Sequence, residues 1–107
     1  MYYVKKEKDG NEITLIIRLP QSKIGFTYPD ALLRINDDCY YMDFYLSTVM
    51  RSDIETCQNW LEHAEPVDNE KFKELKVFNI GLDELCDYLY NSTIKMEANK
   101  NDSENHN

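Results

Sequence analysis

Cys39, Cys57 and Cys86 are the strongest nucleophiles in the chain, and His63 is the only histidine outside the C-terminal stretch. A thiol paired with an imidazole is the usual arrangement for covalent catalysis. Six residues separate Cys57 from His63, and on a helix that spacing turns the two well away from a common face. Only a contact made in space, between His63 and Cys39 or Cys86, would supply the pair, and nothing local points to one. Three widely spaced cysteines without a C-x-x-C pair also fit neither a disulfide framework nor a zinc site. They read as reduced, buried thiols, which places the chain in the cytoplasm.

Other chemistries lack their carriers too. Asp37-Asp38 has neither the spaced ligands nor the glycine of a calcium loop. Gly10, Gly25 and Gly81 stand alone, so there is no phosphate-cradling loop or dinucleotide fingerprint. With 20 acidic residues among 107, any proposed pair of catalytic carboxylates would arise by chance. The expectation is a protein that is not an enzyme and uses no metal and no cofactor.

Charge and tyrosine carry more information. The net charge is −8, and residues 28–70 hold 10 acids against two bases, Arg34 and Arg51. The middle segment therefore carries an excess as large as that of the whole chain. Such a field repels nucleic acid and anionic lipid and attracts basic protein surfaces. Lys5, Lys6 and Lys8 form a small basic cluster, but a strand sends Lys5 and Lys6 to opposite faces. Eight tyrosines supply stiff, amphipathic contact area of the kind enriched at interfaces. Tyr41, Asp43 and Tyr45 alternate along one strand face with Arg34 opposite Tyr41, and Asp37 and Asp38 occupy the adjoining turn. With Glu62 and Glu65, these residues are the expected surface for a basic protein partner. If a helix covers that strand face instead, its tyrosines belong to the core.

The elements that must position these residues follow from local pattern. Asp9-Gly10 between two β-prone runs predicts a hairpin of Tyr2–Glu7 and Glu12–Leu19, with Tyr2 opposite Ile17 and Val4 opposite Leu15. Ile13, Leu15, Ile17 and Leu19 then face the core, while Thr14, Ile16 and Arg18 point outward. Pro20 to Pro29 reads as a loop anchored by Ile24 and Phe26. A second hairpin, Ala31–Ile35 with Cys39–Leu46, turns at Asp37-Asp38 and sets Ile35 against Tyr40, Leu33 against Met42, and Ala31 against Phe44. Ser52-Asp53-Ile54-Glu55 has the spacing of a capping box, with Ile54, Cys57, Trp60, Leu61 and Ala64 on one helical stripe before Pro66. Leu75–Ile80 reads as a strand, although Asp68 would equally cap a short helix carrying Phe72 and Leu75. Leu82, Leu85, Cys86 and Leu89 mark a second helix reaching Tyr90.

From residue 96 the composition is almost wholly polar, which predicts a disordered tail over 96–107. No apolar run approaches the ~20 residues of a membrane span, and the charged N-terminus is unlike a secretory signal. The expected architecture is a single α+β domain over 1–95. It has a mainly antiparallel sheet of about five strands in ββββαβα order, with two helices packed on one face.

In size, acidity and Asn/Lys/Tyr/Ile-rich composition, the whole chain resembles the bacterial immunity proteins of polymorphic-toxin systems, such as contact-dependent growth inhibition. It carries no motif of a named subfamily, so no residue is carried over. The resemblance implies a small cytoplasmic protein whose one activity is to bind and block a cognate toxin domain. Phage inhibitors that mimic DNA charge, the anti-CRISPR proteins, share the acidity, but mimicry calls for carboxylates in a row at phosphate-like spacing. Here the carboxylates are interleaved with tyrosines. A housekeeping interaction domain is the third alternative.

Overall fold

Asp9 and Gly10 take positive φ, 53° and 80°, as a two-residue hairpin turn requires. Around them strand β1 (Tyr2–Lys8) pairs with β2 (Asn11–Arg18) in the expected register, including Tyr2 with Ile17 and Val4 with Leu15. The computed structural model describes residues 1–20 and 28–105. Most of the expected loop, with Ile24 and Phe26, lies outside the described residues.

Strand β3 (Asp30–Ile35) and β4 (Asp38–Asp43) form the second hairpin. Its turn is Asn36-Asp37, not Asp37-Asp38, so Ile35 pairs with Asp38 and Leu33 with Tyr40. The two-residue shift preserves side-chain parity, and Ala31, Leu33, Ile35, Tyr40 and Met42 share one buried cluster as expected. Asn36 sets the turn through contacts with β2: its N–H donates to the Glu12 carbonyl, and its side chain accepts from the Glu12 N–H and donates to Asn11 Oδ1.

A further strand, β5 (Thr48–Ser52), follows β4 and displaces the expected cap. Ser52 belongs to this strand, and Asp53 caps α1 (Ile54–Glu62) by accepting from the Thr56 N–H at 2.7 Å. A two-residue strand, β6 (Glu65–Pro66), then pairs in parallel with β1. The six-stranded sheet is therefore mixed, in the order β5-β4-β3-β2-β1-β6.

No strand forms over 75–80. Asp68 caps α2 (Asn69–Leu75), which inserts Phe72 into the core, and Lys76 at φ 52° ends it in the left-handed region. Helix α3 (Leu82–Asn105) continues well past Tyr90. Thr93 is buried, Met96 packs on the core and Glu97 accepts from Arg51 at 2.7 Å. The segment whose composition reads as a tail thus begins within this helix. Among the described residues, no helix is long and apolar enough to cross a membrane.

The helices do not share a face. Leu82, Leu85, Cys86 and Leu89 of α3, with Phe72 of α2, pack on the side of Leu15, Ile17, Ala31 and Leu33. Helix α1 covers the opposite side, where Ile16, Leu32, Cys39 and Cys57 make a second buried cluster flanked by Tyr3, Tyr41 and Trp60. Ile16, expected to point outward, is completely buried. The result is an α+β fold with the sheet as its middle layer.

Burial on both faces has a direct consequence. Ile16→Ala should destabilise by about as much as Leu15→Ala on the other face, roughly 2–4 kcal/mol each. Urea unfolding of the two variants would measure this, and a near-neutral Ile16→Ala would mean that α1 does not seal its side.

Candidate protein-binding surface

The residues expected to form one surface are distributed over three places. Arg34, Asp37 and Asp38 stand at the β3–β4 turn, where the Arg34 Nε donates to the Asn36 carbonyl and its guanidinium lies 3.7 Å from Asp37. Asp43 and Tyr45 stand at the other end of β4, roughly 17 Å away along six strand residues. Glu62 ends α1, and Glu65 lies on β6 at the far edge of the sheet, about 24 Å from β5 at ordinary strand spacing.

Tyr41 is half-buried and engaged within the fold. Its hydroxyl donates to Asp30 Oδ2 at 2.7 Å beneath the α1 side of the sheet. Asp30, 6% exposed, also receives both arms of the Arg18 guanidinium, whose plane lies 4.5 Å from the centre of the Trp60 ring. A buried carboxylate needs such partners, because desolvation without them is costly. This constellation ties β2, β3, β4 and α1 together, and no part of the sequence marks it, since Arg18 and Asp30 become neighbours only through the β2–β3 register.

The β4–β5 connection is different. The Asp43 carboxylate accepts from the N–H groups of Tyr45 and Leu46, at 2.9 and 3.2 Å, and Ser47 turns the chain at φ 54°. Asp43 therefore builds the turn, and the turn projects its next two side chains: Tyr45 is 64% and Leu46 62% exposed. Tyr28 stacks on Tyr45 with ring centres 4.4 Å apart. Tyr88 of α3 is exposed beside this turn, whereas Met50 of β5, paired with Tyr41, is exposed on the α1 side of the sheet. A dimple of about 90 Å³ lies between the turn and α3, lined by Met42, Asp43, Val49 and Tyr88. It can take one side chain, whereas small-molecule sites usually measure roughly 300–1,000 Å³. Sequence alternation singled out Tyr45 but not Tyr88, whose place beside the turn depends on how β5 and α3 meet.

Two edges bound the sheet, and they differ. The β6 edge is two residues long and contains Pro66, which lacks an N–H, beside charged Glu65; both features discourage further pairing. Strand β5 spans five residues without proline, and its charged Arg51 is engaged by Glu97. Among the described residues, no strand pairs with its outer edge.

A larger groove, about 790 Å³, opens at the other end of the α1 side between Lys5, Arg34, Asn36, Asp37, Glu12 and Leu61. It gathers two of the expected residues, Arg34 and Asp37, but its lining mixes charges of both signs and so selects for neither. Among the described residues, no group of three His, Cys, Asp or Glu side chains could hold a metal ion. His63 is exposed where α1 ends, and all three cysteines are buried. No family model, curated protein or solved structure matches the chain.

Tyr41 offers a test of the buried constellation. Burial, reinforced by the Asp30 carboxylate, pushes its hydroxyl up to about 12. The unfolded chain releases that proton near ~10, so the folded protein holds the extra proton between the two values. The stabilisation is complete below pH ~10 and is lost as pH rises through ~12. Tyr41→Phe should cost roughly 1–2 kcal/mol near neutrality and flatten the alkaline decline. Urea unfolding at about pH 8 and about pH 11 would measure both effects. An equal decline in the two proteins would remove Tyr41 from the explanation.

Proposed function

We propose that the protein is a non-enzymatic inhibitor that binds and occludes a basic protein domain, as immunity proteins do with their cognate toxins. The observation that carries this reading is the exposed set Tyr28, Tyr45 and Leu46 at the β4–β5 turn, with Tyr88 of α3 beside that turn. An exposed cluster of aromatic and aliphatic side chains next to an available strand edge suits a protein partner better than a small molecule. The charge of −8 supplies the other half of the recognition, because it draws a basic domain from a distance.

The two contributions act on different rates. Long-range attraction accelerates encounter and weakens with salt, while buried aromatic contacts govern how long the complex lasts. Exposed Asp37 and Asp38 belong to the first group, and Tyr45 and Leu46 to the second.

Surface plasmon resonance against the product of the neighbouring gene, at low and at moderate ionic strength, separates these roles. Asp37→Lys with Asp38→Lys should slow association and reduce its salt dependence. Tyr45→Ala or Leu46→Ala should mainly speed dissociation, by roughly tenfold or more for a hot spot. Salt-independent affinity together with silent Tyr45 and Leu46 variants would sink the proposal.

A further inference from the structure

Cys39 of β4 and Cys57 of α1 meet at the centre of the contact between helix and sheet. They are 4% and 2% exposed, share one packed cluster with Ile16 and Leu32, and each thiol is the strongest influence on the other's ionisation. The strand pairing sets Arg34 opposite Cys39, and its positive charge acts on Cys57. Two buried thiols in one small cluster, on a strand and on the helix that covers it, have an arrangement that packing alone does not require. Cys86, by contrast, lies on the other side of the sheet, among Leu82, Leu85 and Leu89.

We propose that Cys39 and Cys57 form an oxidation site, at which a hydroperoxide converts the two thiols into a disulfide that fastens α1 to β4. The pair is asymmetric in the sense this chemistry needs. The neighbouring Cys39 thiol, helped by the Arg34 charge, holds the Cys57 thiol below its ordinary value, whereas Cys57 and burial push Cys39 up. Cys57 is therefore the thiolate nucleophile and Cys39 the thiol that resolves it.

In the first step the Cys57 sulfur attacks one peroxide oxygen. The O–O bond breaks, the departing oxygen takes a proton as water or alcohol, and Cys57 becomes a sulfenic acid. The Cys39 sulfur then attacks the Cys57 sulfur, the S–O bond breaks, and the released hydroxide takes the Cys39 proton as water. Two thiols thus give up two electrons and two protons to one peroxide. Burial makes the reaction depend on transient opening of α1 from the sheet, so it is slow compared with that of an exposed thiol. Cys86, whose thiol burial pushes up to about 11, is the internal control.

The full-length protein treated with hydrogen peroxide under native conditions should lose about 2 Da. Non-reducing peptide mapping should then recover a Cys39–Cys57 cross-link with Cys86 still reduced, and dithiothreitol should reverse the change. In Cys39→Ser, a dimedone adduct should collect on Cys57, because nothing resolves the sulfenic acid. Modification confined to Cys86, cross-links between molecules, or an unmodified protein after prolonged exposure would each overturn the proposal. Mapping the wild-type chain decides the matter even if the serine variant folds poorly.

Discussion

The central strands have to be buried on both faces, and the rest of the structure answers to that constraint. Ile16 and Leu32 on one side, and Leu15, Ala31 and Leu33 on the other, are completely buried. A sheet wetted on one face would expose half of them. With roughly 25 cal/mol gained per Å² of apolar surface removed from water, neither side can be left open cheaply. One short helix therefore crosses one face, and α2 and α3 share the other. The Arg18–Asp30–Tyr41 constellation lies at the margin of the α1 side, where the Asp30 carboxylate can be tolerated because three hydrogen bonds, two from Arg18 and one from Tyr41, meet it.

That constraint also separates what the sequence made legible from what it did not. The first hairpin was readable residue by residue because its turn is local chemistry, Asp-Gly with two positive φ angles. The second was readable in its faces but not in its register, because Asn36 takes its turn position from contacts with Asn11 and Glu12, over twenty residues away. Ile16 was misplaced by strict alternation. The unbroken run Leu15-Ile16-Ile17 is the mark of a strand covered on both sides, and it outweighs the period of two. Strand β5 has no alternating pattern, and its existence depends on pairing with β4. The length of α3 was hidden by polar residues on its outer faces, although Thr93 and Met96 continue the stripe begun at Leu82.

The candidate surface was legible only in part, for the same reason. Tyr41 and Tyr45 look equivalent at a separation of four, yet β4 ends at Asp43 between them. The chain turns there because the Asp43 carboxylate accepts from the N–H groups of Tyr45 and Leu46, so one tyrosine stays under α1 and the other reaches solvent. Tyr88 could not be joined to the β4–β5 turn from spacing, since its place beside Ser47 and Thr48 is set by the packing of α3 against the β4–β5 hairpin.

The asymmetry of the sheet gives the proposed interaction its direction. Net charge acts on a partner from every side, so it does not select a binding face. Selection has to come from short-range features, and these are unevenly placed. The β6 edge combines two residues, a proline and a carboxylate, all of which oppose pairing. At the other edge, β5 is longer, its arginine is turned to Glu97, and the exposed Tyr45, Leu46 and Met50 lie alongside. A basic domain drawn in by charge would therefore find apolar contact area beside an edge with which no strand pairs among the described residues. Helix α1 begins immediately after that strand, and it carries Cys57. Oxidation of the Cys39–Cys57 pair would fasten the helix beside the β5 edge, with which no strand pairs among the described residues.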